Sequence, residues 1–324
     1  MAANSRIRTA LDEGVLTLPA GKASVVRPVQ AFDMSVLRDH DTTVVETFFP
    51  NHDRWKTAGY AVSTDPVEAD VTIISVPRSK EQARALVADA AQRSKLVVVD
   101  GAKTDGIDSI FKACRKILGP LPSVSKGHGR IFWFQGTDAL SDWLSEGQTI
   151  GPEGFYTAPG VFSDRSVDQG SKLLADALPD TLPASIADFG AGWGYLASHI
   201  LQKKGVETLD LIEAEALALD CAKLNVTDPR AAFHWADATT FKSSTPYGAI
   251  IMNPPFHVGR DGDPRLGQDF IRSAARNLTA SGTLWMVANR HLPYEQTLSD
   301  NFRQVTPLAA TAGFKLFKAS RPTP

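Results

Sequence analysis

Short apolar runs and amphipathic stretches alternate along the chain, and the alternation occurs twice. In the first half, residues 42–49, 70–76 and 95–100 are rich in Val, Ile, Thr and Phe and read as strands. Residues 79–92 carry Ala and Leu on one face at helical spacing, and residues 108–118 do the same. Gly119, Pro120 and Pro122 break the rhythm. Residues 130–134 read as a further strand, with Phe132, Trp133 and Phe134 as core rather than as a stacking platform. Residues 147–160 are dense in Gly and Pro and read as the connection between two domains, 1–150 and 151–324. The second half restarts with helix 168–178 and strand 185–189. It continues with helix 195–203, strand 208–212, helix 216–225 and strands near 232–235 and at 249–252. Helix 269–277, strand 283–288 and helix 293–302 follow, and strands 304–307 and 314–319 are close enough for an antiparallel hairpin through Ala312 and Gly313. Strands alternating with helices predict the α/β class with a parallel sheet in each half.

A chain of 324 residues suits two such domains. Its two cysteines, Cys114 and Cys221, make neither a disulfide framework nor a metal cluster, which predicts a reducing, cytoplasmic setting and no metal. The N-terminus has no basic-then-apolar leader pattern, and no apolar run approaches a membrane span, so no membrane partner is expected. Net charge is −2, so overall electrostatics give a nucleic-acid partner no support. One stretch stands apart. Residues 109–137 hold Lys112, Arg115, Lys116, Lys126, His128 and Arg130 without an acid. Contact with phosphate is one reading, centred on Lys112, Arg115 and Lys116, and a solvated helix face is the other.

Two strand ends carry the chemistry. Strand 185–189 runs into Gly190, Ala191, Gly192, Trp193 and Gly194. A dinucleotide fingerprint needs its third glycine at 195, where this chain has Tyr195. Asp188 closes the strand, placed for an ammonium group. Glu213 follows the next strand and suits two ribose hydroxyls, with Glu215 as its competitor. Asp237, with Ala238 beside it, follows the third and could accept from an adenine amine. The second strand end, 249–252, runs into Asn253, Pro254, Pro255 and Phe256. The two ends together read as a site for S-adenosylmethionine (SAM) and for methylation of a nitrogen conjugated to a π-system. Such a nitrogen is a poor nucleophile because its lone pair is delocalised. The Asn253 side-chain oxygen and the Pro254 carbonyl are acceptors able to hold its hydrogens and draw the lone pair out. Neither proline has an N–H, so the turn presents carbonyls. Phe256 offers a face for a planar base. His257 is placed to meet the target or its phosphate; an ordinary structural histidine is the alternative.

The ordered set of motifs over residues 155–324 resembles the ribosomal RNA small subunit methyltransferase C family, guanine-N2 methyltransferases of bacterial 16S rRNA. The matching pieces begin with Pro159-Gly-Val-Phe-Ser163, Asp168-Gln-Gly-Ser171 and Asp188-Phe-Gly-Ala-Gly192. Asn253-Pro-Pro-Phe-His257, Val287-Ala-Asn289, Leu292-Pro-Tyr-Glu295 and Gly313-Phe-Lys-Leu-Phe317 complete them. The resemblance implies two tandem class I methyltransferase-like (Rossmann-like) domains, the second active. It implies SAM at Asp188, Gly190, Ala191, Gly192, Glu213, Asp237, Ala238 and Asn253. Catalysis would fall to Asn253, Pro254, Pro255 and Phe256, with substrate also at His257. The first half carries Asp70-Val-Thr-Ile-Ile-Ser-Val-Pro-Arg-Ser-Lys80 where a duplicated domain would have its catalytic turn, and it lacks a glycine-rich turn. The resemblance therefore implies a degenerate first domain that serves stability or RNA docking. A monomer is expected, and the resemblance implies ribosomal RNA or the small ribosomal subunit as its partner. The large-subunit guanine-N2 enzyme, protein glutamine N5 methylation and DNA adenine N6 methylation meet the same chemical demand. The Pro159–Ser163 segment and the doubled first half speak against the last two.

Overall fold

The computed structural model describes residues 6–151, 153–255 and 264–323. It divides into two units, residues 1–147 and 148–324. In the first unit the strands are β1 (Lys22–Val26), β2 (Asp41–Val45), β3 (Ala61–Ser63), β4 (Ala69–Ser75), β5 (Ser94–Ala102), β6 (Ser123–Lys126) and β7 (Gly129–Gln135). They form one sheet in the order β3-β2-β1-β4-β5-β7-β6. Its α-helices are α1 (Arg6–Asp12), α2 (Phe49–Thr57), α3 (Lys80–Arg93) and α4 (Ile107–Leu118). Local chemistry sets their ends. The Ser79 hydroxyl accepts from the Gln82 N–H to start α3, and Gly119 closes α4. Phe132, Trp133 and Phe134 are all buried, in the core as their sequence implies.

The second unit opens with a two-stranded sheet, β8 (Thr149–Ile150) and β9 (Tyr156–Thr157). Residues 148–160 are therefore part of this unit rather than a free connection. The Asn225 side chain fixes them, accepting from the Tyr156 N–H and donating to the Tyr156 carbonyl. Then come α5 (Gln169–Ala177), β10 (Ser185–Phe189), α6 (Tyr195–Ile200), β11 (Thr208–Glu213), α7 (Ala216–Asn225) and β12 (Ala231–Trp235). They are followed by β13 (Tyr247–Met252), α8 (Pro264–Asn277), β14 (Leu278–Asn289), α9 (Glu295–Asn301), β15 (Phe302–Ala310) and β16 (Phe314–Pro322). The sheet order is β12-β11-β10-β13-β14-β16-β15, the same permutation as in the first unit. β16 runs antiparallel to β14 and to β15, the terminal hairpin expected from the sequence. The parallel strands are apolar on both faces because helices cover both. Ile186, Ala249 and Ile251 face one hydrophobic cluster, while Ala187, Phe189, Ile250 and Met252 face the other.

The registers make the two units comparable residue by residue. In the first, Val26 pairs with Val45 and Ile74. In the second, Phe189 pairs with Ile212 and Met252. Arg27 thus stands where the second unit has Gly190, Glu46 where it has Glu213, and Ser75 where it has Asn253. The backbone agrees. The Arg27 N–H donates to the Val45 carbonyl at 2.9 Å and the Gly190 N–H to the Ile212 carbonyl at 2.8 Å. Both residues are left-handed, with φ +52° and +72°. The Glu46 carboxylate accepts from the Phe48 N–H as Glu213 accepts from the Glu215 N–H.

Helix α8 is locked to the start of α9 at Gly267. A Cβ on Gly267 would overlap the ring of Tyr294, which is 1% exposed. Glycine-to-alanine in an open helix interior stabilises by about 1 kcal/mol. Here the overlap should reverse the sign, and Gly267→Ala should destabilise the protein by about 1–3 kcal/mol, as overpacked cores do. Denaturant unfolding checks it; a stabilised variant would show that Tyr294 yields freely.

Candidate active site

The parallel strands of the second sheet end on one edge, and chain order reverses between β10 and β13. Loops diverge at such a point and leave a crevice, the usual ligand position in open α/β sheets. Gly190, Ala191, Gly192 and Asn253 all line a cleft there, with Asp168, Ser171, Phe162, Ser163, Trp193, Tyr195 and Leu196. The glycine-rich turn requires its glycines for backbone reasons. Gly190, Gly192 and Gly194 have φ +72°, +55° and +89°, values a side chain strains. A Cβ at Gly192 would meet open space, so the backbone there is approachable.

Trp193 holds this turn in place. Its ring is buried and its indole N–H donates to the Phe162 carbonyl at 3.0 Å. The Asn225 amide donates to the Trp193 carbonyl at 2.8 Å. The Pro159–Ser163 segment is therefore part of the cleft wall. Tyr195, where a dinucleotide fingerprint has glycine, begins α6 and packs against Phe155, Trp193 and His199.

Asp188 is wholly buried, and neither carboxylate oxygen has a hydrogen-bond partner among the described residues. Burial first, and the Glu213 carboxylate second, push its pKa up to about 8. The Ala197 N–H opposes the shift without reaching hydrogen-bond geometry. An uncompensated buried carboxylate is costly unless protonated or met by a cation. Glu213 is partly buried and accepts from the Gly192 and Glu215 N–H groups, both at 2.8 Å. Burial raises its pKa, against the pull of those bonds. Each of its oxygens keeps a further lone pair for a hydroxyl. Asp237 lies past the end of β12, where one oxygen accepts from the Thr239 N–H and hydroxyl. Ala238 is packed in the core, and its carbonyl accepts from the Ser273 hydroxyl. Asp188, Glu213, Asp237 and Ala238 are not among the residues that line the cleft; Asp188 and Glu213 stand behind its glycine-rich turn.

Asn253 follows β13, half-buried, with Pro254 buried and Pro255 exposed. Its amide nitrogen donates to Asp168 Oδ2 at 2.8 Å and to Ser171 Oγ at 2.9 Å. Neither partner is expected as a site residue from sequence, although Asp168-Gln-Gly-Ser171 is one of the segments that carry the family resemblance. Asp168 also caps α5, accepting from the Ser171 N–H at 2.8 Å. Phe256 and His257 lie outside the described residues.

Lys112, Arg115 and Lys116 belong to the first unit and are exposed on α4. Two other members of the acid-free stretch are engaged. Arg130 pairs with Asp108 at 2.8 Å, and Lys126 donates to the Thr9 hydroxyl at 3.1 Å. Both cysteines are buried, and burial pushes their thiols up, Cys114 to about 12 and Cys221 to about 11, which removes thiolate chemistry. Among the described residues no group of three or more His, Cys, Asp or Glu could hold a metal ion. No helix among them is long and apolar enough to cross a membrane.

Residues 153–318 match the methyltransferase small domain family. The ribosomal RNA small subunit methyltransferase C of Shewanella sp. (strain MR-4) is 32% identical over 262 residues, 76% of each chain. The protein of the same name from Shewanella pealeana is 30% identical over 272 residues, 80% of this chain and 79% of its own. Among solved structures, the T. thermophilus 16S rRNA N2 methyltransferase in complex with AdoMet and guanosine superposes with a TM-score of 0.79 at 20% identity. That match covers 99% of this chain and 93% of the other, and shows a shared two-unit fold. With a conserved-domain match over half its length and relatives above 30% identity over three quarters of it, the chain belongs to the ribosomal RNA small subunit methyltransferase C family.

Proposed function

We propose that the second unit transfers a methyl group from SAM to the exocyclic N2 amine of a guanosine in small-subunit ribosomal RNA. The observation that carries the reading is Asn253. Its amide sits beside the glycine-rich turn with its nitrogen bound to Asp168 and Ser171, which leaves its oxygen as the end without a partner among the described residues. Family membership supplies the substrate class.

The residues present fit the cofactor. Asp188 is a buried carboxylate without a partner among the described residues, and the Gly192 backbone, which donates to Glu213, is open. SAM supplies an electrophilic methyl group on a sulfonium. Asp188 would take the charge of the methionine ammonium and Glu213 would accept from the ribose hydroxyls; Asp237, past the end of the third strand and off the cleft wall, would accept from the adenine amine only where the ligand extends beyond this cleft. The Gly190 to Gly192 backbone lets the ligand approach closely. Asn253 Oδ1 and the Pro254 carbonyl accept the two hydrogens of the target amine, and Phe256 stacks on the base. As the amine loses planarity the acceptors hold it more strongly, so their effect falls on the transition state. The amine sheds its proton to solvent after transfer, and a base to be modified must be unpaired or extruded to reach the cleft.

In this reading the first unit does not bind SAM. Arg27 replaces the glycine at its strand end and Ser75 the asparagine, and the Arg27 guanidinium reaches the Thr47 hydroxyl. Its role is RNA docking through the exposed Lys112, Arg115 and Lys116.

Three outcomes test this. Asn253→Ala should lower turnover on small subunits about 100- to 1,000-fold, as loss of one transition-state hydrogen bond does, with the SAM Kd within about threefold. Turnover near wild type would remove Asn253 from the chemistry. The second concerns pH. Asp188 holds a proton in the folded chain that the unfolded chain sheds above the ordinary carboxylate range. This group therefore costs stability progressively as pH rises toward about 8. A bound ammonium reverses its preference. SAM affinity should rise from about pH 5 to about pH 6.5, below the range where the ligand's own amine titrates. Calorimetry in buffers of different ionisation enthalpy should report proton release, absent in Asp188→Asn. A flat affinity without proton release would sink that role. Third, changing Lys112, Arg115 and Lys116 together to Glu should weaken RNA binding and flatten its salt dependence while SAM affinity holds. Normal methylation across a salt series would leave the patch a solvated helix face.

A further inference from the structure

We infer that Asp168 and Ser171 are positioning residues that set the orientation of the Asn253 amide and so decide which of its ends meets the substrate. This rests on the reading of Asn253 above. The two ends of a side-chain amide have nearly the same shape, yet only the oxygen can accept from an amine hydrogen. An unrestrained Asn253 would spend part of its time presenting an NH2 group, which repels the N–H bonds it should hold.

Asp168 removes that ambiguity. A carboxylate accepts and does not donate, so the atom 2.8 Å from Asp168 Oδ2 has to be the amide nitrogen. The reverse orientation would set two acceptors against each other. Ser171 Oγ, at 2.9 Å, takes the second amide hydrogen. With both hydrogens engaged, Oδ1 has no partner among the described residues and faces away from this pair.

The pair is itself held firmly. Asp168 Oδ2 also accepts from the Ser171 N–H as the cap of α5, and Ser171 is buried. Gly170 makes room between them. A Cβ there would come within 2.9 Å of Asp168 Oδ2 and of the Phe314 ring. One helix start therefore fixes the rotamer of a residue on a strand end 85 positions away. Asp168 touches no reacting atom in this scheme.

The test compares single-turnover methylation of unmodified small ribosomal subunits by Asp168→Ser, Asp168→Asn, Asn253→Ala and the double variant Asp168→Ser/Asn253→Ala. Serine still caps the helix, so folding is protected, but it is too short to reach Asn253. Asp168→Ser should lower the rate about 10- to 100-fold, the scale of lost orientation. The apparent KM for subunits and the SAM Kd should stay within about threefold. Asp168→Asn, whose oxygen can still accept, should retain more of the rate. The decisive reading is the double variant, which should be no slower than Asn253→Ala alone, because a positioning residue has nothing to position once the amide is gone. Wild-type turnover by Asp168→Ser, or effects that multiply, would overturn the inference. Wild-type turnover by Asn253→Ala would instead sink the underlying reading of the site, and this one with it.

Discussion

The pairing of β10 with β11 on one side and β13 on the other is the constraint on which the second unit depends. It brings Asp188, Glu213 and Asn253 to one edge although they are far apart in sequence. It also opens the crevice between the loops after β10 and β13. The pairing is secured by ordinary means. Phe189, Ile212 and Met252 are each fully buried at the strand ends, and side chains of this size contribute roughly 1.5–3 kcal/mol apiece on burial. A buried, unpartnered Asp188 is tolerated one residue away because this apolar frame leaves the sheet no cheaper register. Slipping by one residue would turn every side chain to the opposite face.

Much of this was legible because the local rules agree with the global fold. Strands covered on both faces show as apolar runs, so β10, β11, β13 and β14 are visible without a partner. The glycine-rich turn shows because its left-handed residues admit little else. Elements whose signal is weak were missed. β1 is five residues of mixed character, β3 is three, and α2 buries only Trp55. The run at 42–49 reads as one long strand because Phe48 and Phe49 extend its apolar pattern. The structure ends β2 at Val45 and starts α2 at Phe49, with Pro50 in its first turn. Contacts across the fold were illegible for a different reason. Nothing near Arg130 in sequence forecasts its pairing with Asp108 around the Phe111 ring. Asp168 and Asn253 both stand in family-like segments, yet nothing in either segment says that the two side chains meet. Spacing reports neighbours along an element, and these residues are neighbours only after the sheet has formed.

The two units carry the same strand permutation to different ends. Their difference is small in side-chain count and large in consequence. A glycine at position 190 carries no side chain beyond the turn, whereas Arg27 in the same left-handed conformation carries a long one anchored at Thr47. An asparagine at 253 offers an acceptor at the end of its strand; Ser75 ends in a buried hydroxyl.

Glu46 did not change along with them. It is 1% exposed, and it accepts from the Phe48 N–H and the Asn51 amide. The carboxylate at this position stitches its own turn together whether or not a ligand is present. A residue with a structural duty of this kind is needed by the fold with or without a binding site. An acid at the end of the second strand is for that reason poor testimony of cofactor binding in any copy of this fold. The glycine, whose place in the first unit is taken by a side chain in the same left-handed conformation, is the better witness.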